Sequence, residues 1–240
     1  MEKNMKVPIS KRLLACVAQV PEGARVADIG TDHGYLSIEL LRSGRAVFAH
    51  ASDLREQPLM KAVENAQKFG VAEKMRFSQA DGLKAIDPAE VDTIVCAGMG
   101  GDLIARILQA GPWTYDPKYN LILQPQSSGN DLRRQLAQMG FGIEKEALVE
   151  DGGFLYQVIC ARYGIPMELT PGQEYISPVL LASGDPLLPA YFERILQSLE
   201  TAVAGISKAA APSPRLAYYQ TALDQVREMR DNYDHSADCS

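Results

Sequence analysis

The stretch Val26-Ala27-Asp28-Ile29-Gly30-Thr31-Asp32-His33-Gly34 decides the fold. An apolar run with β character enters a turn holding two glycines, and residues 35–42 follow with helical period. Gly30 and Gly34 permit a sharp strand-to-helix turn that brings a ligand close to the backbone. The dinucleotide signature G-x-G-x-x-G is absent, because Asp32 stands where its second glycine would be. A carboxylate at the helix start repels a pyrophosphate, which needs bare backbone donors. It suits a ligand carrying cationic groups such as an ammonium and a sulfonium. The alternative is a tight turn with an Asp cap and no ligand.

Outward from this turn, β-rich runs cover residues 25–29, 47–52, 74–79, 93–97, 120–123, 142–148 and 155–161. Amphipathic stretches lie between most of them, at 35–42, 56–69, 103–109 and 131–139. Such alternation requires crossover connections and a mostly parallel sheet. The last two runs are joined only by Glu150-Asp151-Gly152-Gly153, a hairpin turn, so the sheet should end in an antiparallel pair. The expected fold is α/β: a Rossmann-like, seven-stranded sheet of the class I methyltransferase pattern over residues 1–163. Residues 164–240 should form a second unit. A proline-broken linker runs from Gly164 to Pro189, and two helical stripes follow, from Leu188 to Ile206 and from Leu216 to Met229. Ala211-Pro212-Ser213-Pro214 separates the stripes, which gives an antiparallel helical hairpin with a polar tail from Asp231 that is expected to fray. At the other end, residues 9–20 read as a helix capped by Ser10, with Leu13, Leu14, Val17 and Val20 inward.

The chain of 240 residues is 46% hydrophobic and 22% charged, apolar enough for a core. No apolar run is long enough to cross a bilayer and no signal-peptide core follows the polar first ten residues, which points to the cytoplasm. Cys16, Cys96, Cys160 and Cys239 have no C-x-x-C partner, and the three histidines are scattered; no metal site is expected. Net charge is −6, but residues 1–164 carry 19 Lys+Arg against 20 Asp+Glu, and residues 165–240 carry 5 against 10. A basic face can therefore form on the first part, around Lys3, Lys6, Lys11, Arg12, Arg133 and Arg134.

Three acidic positions end three consecutive strand regions: Asp28 with Asp32, then Asp53-Leu54, then Asp81-Gly82. In open α/β sheets, ligands bind at this carboxyl edge, and an acidic residue after the second strand binds ribose hydroxyls. The fourth strand enters Cys96-Ala97-Gly98-Met99-Gly100-Gly101, more glycine than a turn requires, with Met99 able to pack on a flat base or cofactor. The fifth ends in Leu123-Gln124-Pro125-Gln126-Ser127-Ser128, amides and hydroxyls for the same edge, with Ser127 or Ser128 capping the next helix.

Residues 8–163 resemble the bacterial TrmK family, the tRNA adenine (N1)-methyltransferases of position twenty-two. The resemblance rests on Ser10-Lys11-Arg12-Leu13, Asp28 through Leu36, Asp81-Gly82-Leu83, Ala97-Gly98-Met99-Gly100-Gly101 with Leu103-Ile104, Leu121-Ile122-Leu123-Gln124-Pro125, Glu150-Asp151 and Tyr156. Gln126 stands where the family usually has Asn, Asp53 where it often has Glu, Gln57 where it often has Gly, and Ile176-Ser177-Pro178 resembles its Ile-Gly-Pro. The resemblance implies S-adenosyl-L-methionine as cofactor, S-adenosyl-L-homocysteine as product and tRNA as partner; the sequence leaves the oligomeric state open, with a monomer among the options. It implies cofactor contacts from Arg12, Asp28, Gly30, Asp32, Gly34, Tyr35, Asp53, Leu54, Asp81, Gly82, Ala97, Gly98 and Met99. Asp32, Met99, Gln124 and Gln126 are the candidates for charge stabilisation and for holding the base. Lys3, Lys6, Lys11, Arg133 and Arg134 are the candidates for RNA, with Arg12 divided between phosphate and the cofactor carboxylate. The competing readings are a methyltransferase for a small molecule or protein, and a non-catalytic cofactor- or RNA-binding module.

Overall fold

The computed structural model describes residues 5–208 and 214–237. The strands are β1 (Ala24–Ile29), β2 (Ala46–Asp53), β3 (Met75–Gln79), β4 (Thr93–Met99), β5 (Asn120–Pro125), β6 (Phe141–Asp151) and β7 (Phe154–Tyr163). They form one sheet in the order β3-β2-β1-β4-β5-β7-β6. The first five are parallel, and β7 runs antiparallel to both β5 and β6. The strand order reverses between β1 and β4, which opens a crevice at their carboxyl ends.

Burial on both faces explains why the central strands are continuously apolar. Ala27 and Ile29, Ile94 and Cys96, and Leu121 and Leu123 pack with Ile104 and Leu108 of α4 (Gly101–Ala110) and Leu132 and Leu136 of α5 (Gly129–Gln138). Val26, Val95 and Ile122 alternate to the opposite face. They meet Cys16 and Val17 of α1 (Lys11–Gln19), Leu36, Ile38 and Leu40 of α2 (Tyr35–Arg42), and Ala66 of α3 (Glu56–Lys68). Burial pushes the thiols of Cys16, Cys96 and Cys160 up to about 12, so they remain protonated and unreactive. Cys239 lies outside the described residues.

The β6–β7 turn is tighter than the four residues of the sequence reading. Asp151 pairs with Phe154, and Gly152 and Gly153 alone make the turn, with φ of 59° and 80°. Two positive φ values in a two-residue loop match the right-handed twist of the flanking strands, which lengthens both well beyond the expected runs.

Four further expectations are corrected. Leu14 does not face inward but is 39% exposed, because Cys16 takes the buried position in α1. Ser10 caps this helix as expected, accepting from the Leu13 N–H. Ser128 sits at the α5 N-cap but in a left-handed conformation with φ 54°, and its side chain makes no capping bond. The proline-rich stretch contains two short helices, α6 (Pro171–Tyr175) and α7 (Pro178–Leu181), whose Tyr175, Ile176 and Leu180 are buried. Pro171 and Pro178 stand in the first turns, where proline's missing N–H costs nothing.

Helices α8 (Leu188–Ser207) and α9 (Pro214–Ala237) form the hairpin. Ion pairs Arg227–Glu200 and Arg230–Glu193 match rising with falling residue numbers, so the two helices are antiparallel. The second helix runs through Asp231 to Ala237, with Tyr233 against Phe192 at 5.9 Å, rather than fraying. Residues 211–213 of the expected connection lie outside the described residues. Leu148 of β6 joins Tyr175, Leu180, Phe192, Leu196 and Val226 in a third core, which docks the base of the hairpin on the sheet.

Candidate functional site

The carboxyl edge of β1 is ordered by backbone and hydroxyl groups. The N–H groups of Gly30 and Thr31 both donate to the Ser52 carbonyl, at 2.8 and 3.2 Å. Asp28 is 3% exposed and accepts from the hydroxyls of Thr31 and Ser37, each at 2.7 Å. Burial raises its carboxyl above the ordinary value, and the two hydroxyls pull the other way. A buried carboxylate of this kind gains most when a cation comes to rest beside it. Neither Thr31 nor Ser37 is among the site residues that the sequence suggests. The available signal was Ser37 itself, a hydroxyl inside the apolar run of α2.

Gly30 and Gly98 leave the floor of the crevice bare. A Cβ on Gly30, at φ 74°, would lie 2.8 Å from the Met99 methyl carbon. One on Gly98, at φ 78°, would lie 3.0 Å from Nη1 of Arg12. Gly34, also at positive φ, packs against Ala62 of α3. The Met99 side chain thus roofs Gly30, and the Arg12 guanidinium rests over Gly98.

Gln124 is corrected as a base-holding residue. It is 0% exposed and both ends of its amide are engaged within the protein. Its oxygen accepts from Arg12 Nη1 and from the Gly98 N–H, both at 3.0 Å, and its nitrogen donates to the Pro125 carbonyl at 3.0 Å. Gln124 is a positioning residue that sets Arg12 and Gly98. Arg12 is also held by its backbone N–H to Asp151 at 3.3 Å and lies 6.0 Å from the Tyr156 ring centre. It stands at the crevice, whereas Lys11 is exposed to solvent.

Around the rim, Asp53 is 6% exposed, and its Oδ1 accepts the Arg55 N–H at 2.8 Å and lies 3.9 Å from Arg55 Nε. Leu54 is exposed and its carbonyl accepts from Gln79. Asp81 is exposed and pairs with Lys84 at 2.6 Å, beside the half-buried Gly82. Tyr35 stacks on His33 at 5.7 Å, and His33 lies 3.5 Å from the exposed Asp32. Gln126 is exposed, its backbone N–H tied to the Met99 carbonyl at 2.9 Å. Ala97 is half-buried at the mouth. Side-chain-free backbone at Gly30 and Gly98 beneath Met99 and Arg12, a buried carboxylate at Asp53 whose Oδ2 has no partner among the described residues, and carboxyl groups at Asp28 and Asp32 fit a nucleoside with a cationic tail. Among the described residues no cluster of metal-ligating side chains exists and no helix is long and apolar enough to cross a membrane.

Of the expected RNA contacts, Lys6 and Lys11 are exposed and make no ion pair among the described residues. Lys3 lies outside the described residues. Arg133 cannot contact RNA, because it is 0% exposed. Its Nε donates to Glu146 at 2.8 Å, Nη1 to the Glu174 and Tyr175 carbonyls at 3.1 Å, and Nη2 to Gln157 at 2.7 Å. Arg134 is half-buried and engaged by Asp131 and Glu174, which cancel its charge locally.

Residues 9–159 match the family described as "Methyltransferase domain". The chain is 30% identical over 236 residues to the tRNA (adenine(22)-N(1))-methyltransferase of Bacillus subtilis, covering 96% of this chain and 99% of that one. Among solved structures, the Streptococcus pneumoniae protein Sp1610 in complex with S-adenosyl-L-methionine superimposes with a TM-score of 0.80 at 32% identity, over 92% of this chain and 99% of that one. A Streptococcus agalactiae protein of the NADB-Rossmann superfamily superimposes with a TM-score of 0.83 at 31% identity, covering 94% and 99%.

Proposed function

Because the chain belongs to the tRNA (adenine(22)-N(1))-methyltransferase family, we propose that it transfers a methyl group from S-adenosyl-L-methionine to nitrogen 1 of adenine 22 in tRNA. The observation that carries this reading is the length of the match, which spans the sheet and the helical hairpin together. Nucleoside mass spectrometry of tRNA incubated with enzyme and cofactor tests it; a new 1-methyladenosine is expected. Methylation of small molecules but not tRNA would overturn it.

The bound cofactor supplies an electrophilic methyl group at the crevice and leaves as S-adenosyl-L-homocysteine. In the proposed arrangement, Asp53 takes the ribose hydroxyls, Asp81 and Gly82 border the adenine with Leu54 and Ala97, and Tyr35 flanks the amino-acid end. Asp28 and Asp32 face the ammonium. Nitrogen 1 of the substrate base has an in-plane lone pair and no proton, so placement and charge stabilisation suffice without a general base. Asp32 is the carboxylate assigned to the positive charge that develops on the base, with Met99 and Gln126 bordering its ring. Nitrogen 1 lies on the Watson–Crick edge, so the base must leave its stack to reach the site.

Arg12 is assigned to the cofactor carboxylate, a task suited to a guanidinium already aimed by Gln124. Arg12→Ala should therefore weaken cofactor affinity about tenfold in the absence of RNA, the size of one charge-assisted bond. Calorimetry showing parental affinity would remove it from the cofactor site.

Lys6 and Lys11 are assigned to phosphate. Changing both to Glu should raise the KM for tRNA and flatten its dependence on salt, since each lost phosphate contact lowers the slope by about one. Steady-state kinetics across a salt series checks this, and an unchanged slope would place the basic face elsewhere.

A further inference from the structure

The cleft between the start of α5, the middle of β7 and helix α8 has no role in the scheme above. It is about 190 Å³ in volume, and no Asp or Glu lines it, although the chain carries net charge −6. Its floor is the first turn of α5, a helix of ten residues. The N–H groups of the first turn have no intrahelical acceptor, and the Ser128 side chain does not cap them. Asp131 belongs to that turn, but it is engaged by Arg134 and lines a different cavity beside Tyr218.

Gln157 points a second donor at the same place. It is 6% exposed, and its Oε1 accepts from Arg133 Nη2 at 2.7 Å and from the Tyr191 hydroxyl at 2.8 Å. Those two donors fix which end of the amide is oxygen, so Nε2 must face the cleft. This nitrogen donates to no group among the described residues, and it presses so close to Gly129 that any Cβ there would overlap it. This nitrogen is the free donor of a side chain otherwise buried, and it opens onto the cleft, where an incoming acceptor would complete it. Arg194 of α8 also lines the cleft, held over the Tyr191 ring at 5.3 Å and bonded through Nη1 to the Leu155 carbonyl, while Nη2 has no partner among the described residues. Backbone donors, an amide donor and a guanidinium border one cleft whose lining holds no carboxylate. Gln126 and Tyr156 line both this cleft and the catalytic crevice.

We propose that this cleft holds a backbone phosphate of the RNA strand next to the target adenosine, gripped by the α5 N-terminus, Gln157 Nε2 and Arg194. The inference rests on the tRNA reading and adds to it. It gives the helical hairpin a point of entry into the substrate site and a way to hold the strand on one side of the extruded base.

The test uses the full chain, natural-sequence tRNA, and tRNA carrying one neutral methylphosphonate linkage immediately 5′ or 3′ of the target. Arg194→Ala, and separately Gln157→Glu, which keeps the acceptor for Arg133 and Tyr191 but removes the donor, should each raise the KM for tRNA about tenfold. Cofactor affinity should stay at the parental value. The Arg194→Ala salt slope should fall by about one. At one of the two methylphosphonate linkages the parental enzyme should lose about the same factor, and Arg194→Ala should add little to it, as expected of one shared contact. If Gln157→Glu fails to fold, Arg194→Ala and the modified RNA decide alone. An active parent whose Arg194→Ala variant has unchanged KM and slope, or whose losses multiply at both linkages, overturns the phosphate site only. A parent that makes no 1-methyladenosine overturns the underlying reading and this one together.

Discussion

Asp53→Ala will weaken binding of S-adenosyl-L-methionine by about a hundredfold while leaving a folded protein. Asp53 is buried at the end of β2, and among the described residues its contacts, the Arg55 N–H and Nε, are both on Oδ1, which leaves Oδ2 for the ribose hydroxyls. Hydrogen bonds to a charged group contribute about 1.5–3 kcal/mol each, and losing about 3 kcal/mol is a hundredfold in affinity. Gly30→Val should do comparable damage for a steric reason. Its φ of 74° is foreign to a β-branched residue, and the new Cβ would meet the Met99 methyl at 2.8 Å. Calorimetry for affinity and circular dichroism for fold check both variants. Parental affinity in Asp53→Ala would show that the ribose is held elsewhere on the rim.

The parts that the sequence made legible are those whose chemistry repeats or cannot be substituted. Val26 against Ala27 and Ile29, and Ile122 against Leu121 and Leu123, are apolar on both faces, the mark of a central parallel strand. Gly152-Gly153 announced a hairpin because few other residues accept two positive φ values in succession. The site was legible at Gly30, Asp53 and Gly98 as strand-end positions, but the connections among side chains were not. Gln124 reads as an available amide in sequence, and only the fold shows both its ends engaged by Arg12, Gly98 and Pro125. Gln157 was invisible because its partners lie 24 and 34 residues away in the chain. Arg133 reads as a surface charge in sequence although its helical position says otherwise. Gly129, Leu132, Arg133 and Leu136 occupy the buried stripe of α5, so helical spacing already placed it inward, but the adjacent pair Arg133-Arg134 was weighed as charge alone. Its counter-ion Glu146 is turned inward by a register shift in β6 between Ile143 and Lys145, which no period-two pattern reveals.

That buried arginine carries the largest expected effect on stability. Arg133 and Glu146 are both 0% exposed in their side chains, and the pair joins α5 and β6 to the α6 backbone, to Gln157 and, through Ser177, to the start of α7. Taking away one member leaves the other charged, buried and short of partners, a loss of about 3–5 kcal/mol. Total stability of a domain is on the order of 5–15 kcal/mol, so Arg133→Ala should unfold at much lower urea and release the base of the helical hairpin first. Replacing both members with apolar residues of similar volume, as Arg133→Met with Glu146→Leu, should recover part of the loss, although the Ser177 hydroxyl would lose its acceptor, the Glu174 carbonyl its Arg133 donor, and Gln157 Oε1 would keep only Tyr191. Arg134→Ala, at a half-exposed ion pair, should cost less than about 1 kcal/mol. Urea unfolding of the four proteins separates these cases. A parental midpoint for Arg133→Ala would mean that the network is not closed as described. A fall in tRNA affinity alone, with stability unchanged, would return Arg133 to the RNA-facing surface from which its burial removes it.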